Sequence, residues 1–245
     1  MTTSQQPAAP AGDPFSPTLQ RVAAASGLGF LLFLILSIVF QGGEAPEYTE
    51  PAVEFAQYAS ENADDIQLSA VLVGLAAFEF LWFVGYLRGQ LGRAEQAARG
   101  FTRLSHIVFA GGVVAAAGFV LSAVMTAAAV SMPEDTSADI VRALYLTSYY
   151  PFLVASVGLA TMLYTASFLI MRLGTLPKWL GIVGIIGGLC YLLTLFSLLD
   201  PEDDGGAFGM FYPLGFLALI IFVIGTSIAF LRQVGGEPAT ASAAG

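Results

Sequence analysis

Charge is scarce in this chain. Asp, Glu, Lys and Arg make up 11% of its 245 residues, where soluble domains carry roughly a quarter. That deficit excludes an ordinary water-solvated globule. Cysteine occurs once, at Cys190, histidine once, at His106, and lysine once, at Lys178. A lone cysteine forms no intrachain disulfide and no cysteine metal site, and a lone histidine removes His-pair metal motifs and chemistry that needs two imidazoles. Alternating strand-length segments of the membrane-barrel kind are missing. So are the GxxxxGK[ST] phosphate loop and the HExxH zinc helix. No GxSG-like turn accompanies His106, as a serine-type intramembrane protease would need. The expectation is a non-enzyme, with no catalytic residue, cofactor or metal to assign and no nucleic-acid partner.

What is present is apolar. Hydrophobic residues make up 56% of the sequence and the mean hydropathy is +0.76. Crossing a bilayer core takes about 20 apolar residues of helix. Six runs meet that need, at 22–40, 66–87, 104–130, 152–171, 179–198 and 210–231. The fold class read from them is all-α: a polytopic membrane protein, a six-transmembrane-helix bundle with short extracytoplasmic amphipathic helices. The membrane domain covers 21–232, between disordered cytoplasmic tails at 1–20 and 233–245. The polar lead is long and the first run outlasts a signal-peptide core. Pro46 follows the small-residue stretch Gly43-Glu44-Ala45, so the first span is read as retained.

Charge sign sets the threading. Glu44, Glu47, Glu50, Glu54, Glu61, Asp64 and Asp65 fill the loop after the first span, which has no base. The next loop holds Arg88, Arg93, Arg99 and Arg103 against one acid, Glu95. Eight of the nine basic residues fall on the side of the termini. The positive-inside rule places that side in the cytoplasm, so the protein is expected in the cell membrane with both termini cytoplasmic. The partners this implies are the lipid bilayer and its anionic heads at the basic face. The opposite face is acidic. There "EPAVEFAQYASENADDI" and "TSADIVRALYLTSYY" read as short amphipathic helices, started by Glu50-Pro51 and by Thr136 or Ser137, with Pro151 marking a kink or break.

Glu79 lies inside "GLAAFEFLWF", about 12 Å of helix rise from the inner end of its span. A carboxylate at that depth must be neutralised, paired or wet. Leu75, Ala76, Trp82, Phe83 and Tyr86 share its helical face. The Trp82 indole and the Tyr86 hydroxyl are the nearest donors along the helix, and His106 could approach from below through a water. Glu79, Trp82, Tyr86 and His106 are therefore the candidate proton or ligand site. The plainer reading is a protonated glutamic acid that fixes packing. Gly181, Gly184 and Gly188 line one side of the fifth span, and Gly111, Ala115, Gly118, Ser122 and Thr126 one side of the third. Small faces of this kind let helices approach closely. They pack within one bundle or form the seam of a homo-oligomer, and the third span is expected to be the most enclosed. "DPEDDGG" partly imitates a calcium loop, with Glu202 where Asp or Asn is wanted and Phe211 where Glu is wanted. A solvated acidic turn is the reading kept.

Three stretches together carry a resemblance: "PAVEFAQYASENADDIQLSAVLVGL", "YLRGQLGRAE" and "GTLPKWLGIVGIIGGLCYLL". Over about residues 20–232 the chain resembles uncharacterised multi-pass membrane proteins of actinobacteria, similar to domain of unknown function 4386. The resemblance implies a six-span fold and a bacterial inner-membrane address, with no substrate or active site to carry over. The function expected is a structural, sensory or accessory role. The alternative is a small ion- or proton-coupled transporter using Glu79.

Overall fold

The computed structural model describes residues 16–43, 45–47, 49–100, 103–132, 135–199 and 206–236. The acidic turn at 200–205, with its calcium-loop pattern, lies outside them, as do Glu44, Glu134 and the tail stretches 1–15 and 237–245. Among the described residues every regular element is helical.

Helix α1 (Pro17–Val39) starts where the Ser16 Oγ accepts the Leu19 amide at 3.3 Å and Pro17 takes the first helical position. Helix α2 (Ala52–Glu61) follows Pro51 and carries Glu54 in its first turn. Asn62 alone separates it from α3 (Ala63–Arg99). At 37 residues α3 is about 55 Å long, against a hydrocarbon core of about 30 Å. It therefore projects past Leu87 into the basic end. Gly100, at φ +76°, stops it with the left-handed residue that favours glycine. Helix α4 spans Leu104–Val130. Helix α5 (Ala138–Thr147) runs into α6 (Tyr149–Leu173) through Ser148, whose φ of −63° and ψ of −18° remain helical. Pro151 follows that junction by three residues, as the break expected there requires, since it has no N–H to give the Thr147 carbonyl. It sits in the first turn of α6, where a missing N–H has no intrahelical acceptor to lose. Gly174, at φ +67°, ends α6. Helix α7 (Lys178–Thr194) tightens into a 3₁₀ turn at Leu195–Leu199, and α8 (Gly206–Gly209) leads to α9 (Phe211–Gly236).

The six long helices close into a ring. α1 packs on α3, α3 on α4, α4 on α6, α6 on α7, α7 on α9, and α9 returns to α1. Phe30, Phe80, Phe83, Leu163, Tyr191 and Phe222 fill the centre, each 1% exposed or less. Leu32, Val71, Phe78, Leu121, Ile186 and Leu217 are exposed on the outside, a girdle of large apolar side chains that water would not tolerate and lipid does. The short helices α2 and α5 pack on each other at the acidic end.

One expectation is corrected. The third span, α4, is not the most enclosed, because its small residues form only one face while Ile107, Val113, Val114, Leu121 and Val124 face outward. The most enclosed span is α6, which packs on α4 and α7 and also reaches α3 across the ring. In the α5–α6 span 67% of the apolar window is buried, against 39% for α4. The glycine faces are occupied within the chain. Gly111 and Gly118 of α4 meet the α6 backbone, while Gly184 and Gly187 of α7 meet Ser167 and Phe222, and Ala218 and Leu163.

Candidate functional site

The sequence candidates separate in space. Glu79 is half-buried on the α1–α3 seam, and its carboxyl lies over Gly29 of α1. A Cβ at Gly29 would stand 3.1 Å from Glu79 Oε2, so the glycine supplies the notch that the carboxyl fills. Among the described residues no donor pairs with Glu79. Trp82 and Tyr86 instead line a groove of about 450 Å³ at the basic end, with Leu19, Phe78, Gly85 and Arg93. The Tyr86 ring stands edge-on to Phe230 at 5.2 Å. His106 is exposed and goes to Arg88, with Nε2 2.7 Å from the arginine Nη2. Arginine only donates, so Nε2 accepts and the imidazole proton in this pair sits on Nδ1.

A carboxylate that the span pattern passed over is better held. Glu95 is fully buried near the basic end of α3. Its Oε1 accepts the Leu104 amide and its Oε2 the Ser105 amide, each at 3.1 Å. The side chain thereby caps α4 from another helix, where free N–H groups and the helix dipole favour an anion. The signal was present in the sequence as the one acid of an arginine-rich loop. What it lacked was the turn that brings α4 back against α3.

The second cavity lies at the acidic end, inside the ring. It encloses about 460 Å³ between α1, α3, α4, α5, α6 and α9. Its polar lining comes chiefly from Ser37, Ser69, Ser122 and Thr126, and its aromatic lining includes Phe119, Phe152 and Tyr212. The α2–α5 pair stands above it. Tyr145 of α5, itself a lining residue, stacks edge-on to Phe55 and Tyr58 of α2 at 5.7 and 5.8 Å. Arg142 lies over the Phe55 ring at 5.7 Å. The Tyr58 hydroxyl donates to the Gln41 carbonyl at 2.9 Å, tying α2 to the end of α1. Burial pushes the Tyr58 phenol above its ordinary range, and a hydrogen bond with Tyr145 partly offsets that rise. Neither of these two cavities is lined by Glu79.

Six helices long and apolar enough to cross a bilayer, closed into one ring, define a multi-pass helical membrane protein. Comparison with protein-family models, with curated proteins and with solved structures finds no match. Among the described residues no group of three or more His, Cys, Asp or Glu side chains is placed to hold a metal ion.

Proposed function

We propose that this chain is a non-enzymatic membrane protein with a sensory or accessory role, which receives a small molecule in the cavity at its acidic end. One observation carries the reading: a space of about 460 Å³, walled by five spanning helices and α5, with hydroxyls set among aromatic rings. Binding sites combine apolar walls with a few convergent polar groups in this way. The basic end, with both terminal helix ends, belongs in the cytoplasm by the positive-inside rule, so the cavity opens toward the outer leaflet.

Thiol accessibility tests it. In a Cys190→Ala background, Ser69→Cys of the full chain in nanodiscs should react with a small water-soluble thiol reagent within about tenfold of the rate at an exposed Ser60→Cys control. Thiolates form in water and not in hydrocarbon, so a silent Ser69→Cys beside a reactive control means a dry gap and removes the reading.

The transport alternative makes a different demand on Glu79. Glu79→Gln should leave the unfolding midpoint within a few degrees, because no described donor is lost. In proteoliposomes under a pH gradient, wild type and Glu79→Gln should pass protons equally slowly. A protein-dependent flux that Glu79→Gln abolishes would install the carrier reading in place of the receptor one.

A further inference from the structure

The cavity at the acidic end is asymmetric in its hydrogen-bonding groups. Ser37 Oγ donates to the Leu34 carbonyl at 2.7 Å, and Ser69 Oγ to the Ser37 carbonyl at 2.8 Å. On α4, Ser122 Oγ donates to the Ser148 carbonyl at 2.7 Å and Thr126 Oγ1 to the Ser122 carbonyl at 3.1 Å. A hydroxyl has one proton and two lone pairs. With each proton committed to a main-chain carbonyl, all four oxygens meet an occupant as acceptors. The acceptors stand on two walls, one at the α1–α3 seam and one along a single turn of α4. Gln41, Tyr145 and Tyr212 are the lining side chains that can still donate.

The remaining walls add to this preference. Phe152 and Tyr212 approach to 4.7 Å between ring centroids, Phe119 lies 6.0 Å from Phe152, and Phe216 lies 6.2 Å from Tyr212. Ring faces carry negative potential and attract cations, more strongly where water is displaced. Among the described residues no Lys, Arg or His lines the space, and Arg142 of α5 above it lies over the Phe55 ring. Asp64 and Asp65 occupy the first turn of α3, directly before the lining residue Ile66. They belong to an acidic surface that concentrates cations at the approach. An anion would be disfavoured by the acceptor oxygens, by the ring faces and by this surface.

We infer that the ligand of this cavity is a small organic ammonium ion. Its N–H groups donate to the serine and threonine oxygens, and its hydrocarbon part lies against the aromatic wall. The inference rests on the proposal that the cavity receives a ligand, and names the chemical class that ligand must have.

Charge-selective labelling separates the two claims. The full chain in nanodiscs carries Ala123→Cys, a lining position, in the Cys190→Ala background, with Ser60→Cys as the exposed reference. An ethylammonium methanethiosulfonate should modify Ala123→Cys about tenfold faster than the ethylsulfonate reagent, after normalising each to the reference. Added n-octylammonium should slow that reaction, and n-octanol should protect much less. Thr126→Val keeps the side-chain shape and removes one acceptor, so it should weaken octylammonium protection several-fold and leave octanol protection unchanged. If both reagents label Ala123→Cys at equal normalised rates and octanol protects as well as octylammonium, the cavity is a ligand site but the ammonium assignment is wrong. Octylammonium protection untouched by Thr126→Val likewise overturns the assignment. If neither reagent labels Ala123→Cys while Ser60→Cys reacts, the ligand-site proposal fails, and the ammonium inference with it.

Discussion

Gly158→Ala is expected to destabilise the bundle by about 3 kcal/mol, lowering the unfolding midpoint in detergent by roughly 10 °C, and Gly158→Leu to leave no folded protein. The reason is backbone against backbone. A Cβ at Gly158 of α6 would stand 2.6 Å from the Gly111 carbonyl oxygen and 2.9 Å from Ala115 Cα, and closer still to the Ala115 amide nitrogen. Those atoms belong to α4 itself and cannot rotate aside as a side chain would. The seam is equally close elsewhere: a Cβ at Gly118 would meet the Pro151 carbonyl at 2.5 Å and the Ala155 amide at 2.6 Å. Relief requires the two most closely packed helices to separate along their length, and in lipid that packing is the main force holding helices together. Gly74 on α3 is the control, since nothing lies within 4 Å of its would-be Cβ. Gly74→Ala should be neutral or slightly stabilising through helix propensity. Thermal unfolding of the three variants checks the contrast, and a Gly158→Ala protein as stable as Gly74→Ala would contradict the packing seen here.

Glu95→Ala should be nearly as costly, at about 3 kcal/mol. It strands the Leu104 and Ser105 amides in a buried site, and each orphaned donor costs about 1–3 kcal/mol. Glu95→Gln keeps one carbonyl acceptor and should lose about half as much. Hydrogen exchange separates a local capping role from a general loss of packing. Protection at Leu104 and Ser105 should fall by orders of magnitude in Glu95→Ala, while the α6 core around Leu159 and Leu163 stays protected. Uniform loss across both regions would mean that Glu95 holds the whole fold and not the start of α4.

Much of the architecture is legible in hydropathy alone. Helix α4 occupies 104–130, the same residues as the apolar run that announced it. Hydropathy reports where lipid contact begins and ends, which is not where a helix ends. The second span was read as 66–87, yet its helix continues to Arg99, because Arg88 onward leaves the hydrocarbon but meets no proline and no left-handed glycine until Gly100. The amphipathic starts were read at Glu50-Pro51 and at Thr136 or Ser137, and α2 and α5 begin directly after Pro51 and Ser137, with no side-chain cap hydrogen bond at either.

The candidate site was far less legible. Glu79 drew notice because a lone acid in an apolar run is rare, but rarity says nothing about geometry. Its carboxyl fills the notch at Gly29, while Trp82 and Tyr86 line another groove and His106 pairs with Arg88. The cavity hydroxyls gave no comparable signal. Ser37, Ser69 and Ser122 are unremarkable in a membrane helix, where a serine can satisfy its proton on its own backbone.

The sequence by itself determined the solvent of this protein, the number of its crossings and the charge that separates its two ends. Each of these is a sum over neighbouring residues, and lipid imposes it on every helix independently. Only the tertiary structure decided which helices touch, that the ring closes through α1 and α9, that α6 is the most enclosed span, and that Glu95 caps α4. The helix contacts depend on which residue faces which backbone across a seam, a relation between residues dozens of positions apart, and the Glu95 cap on the turn that brings α4 back against α3 nine residues later. The cavity is of the same kind: one to four residues from each of six helices define it, and no one of those helices carries enough of it to be read alone.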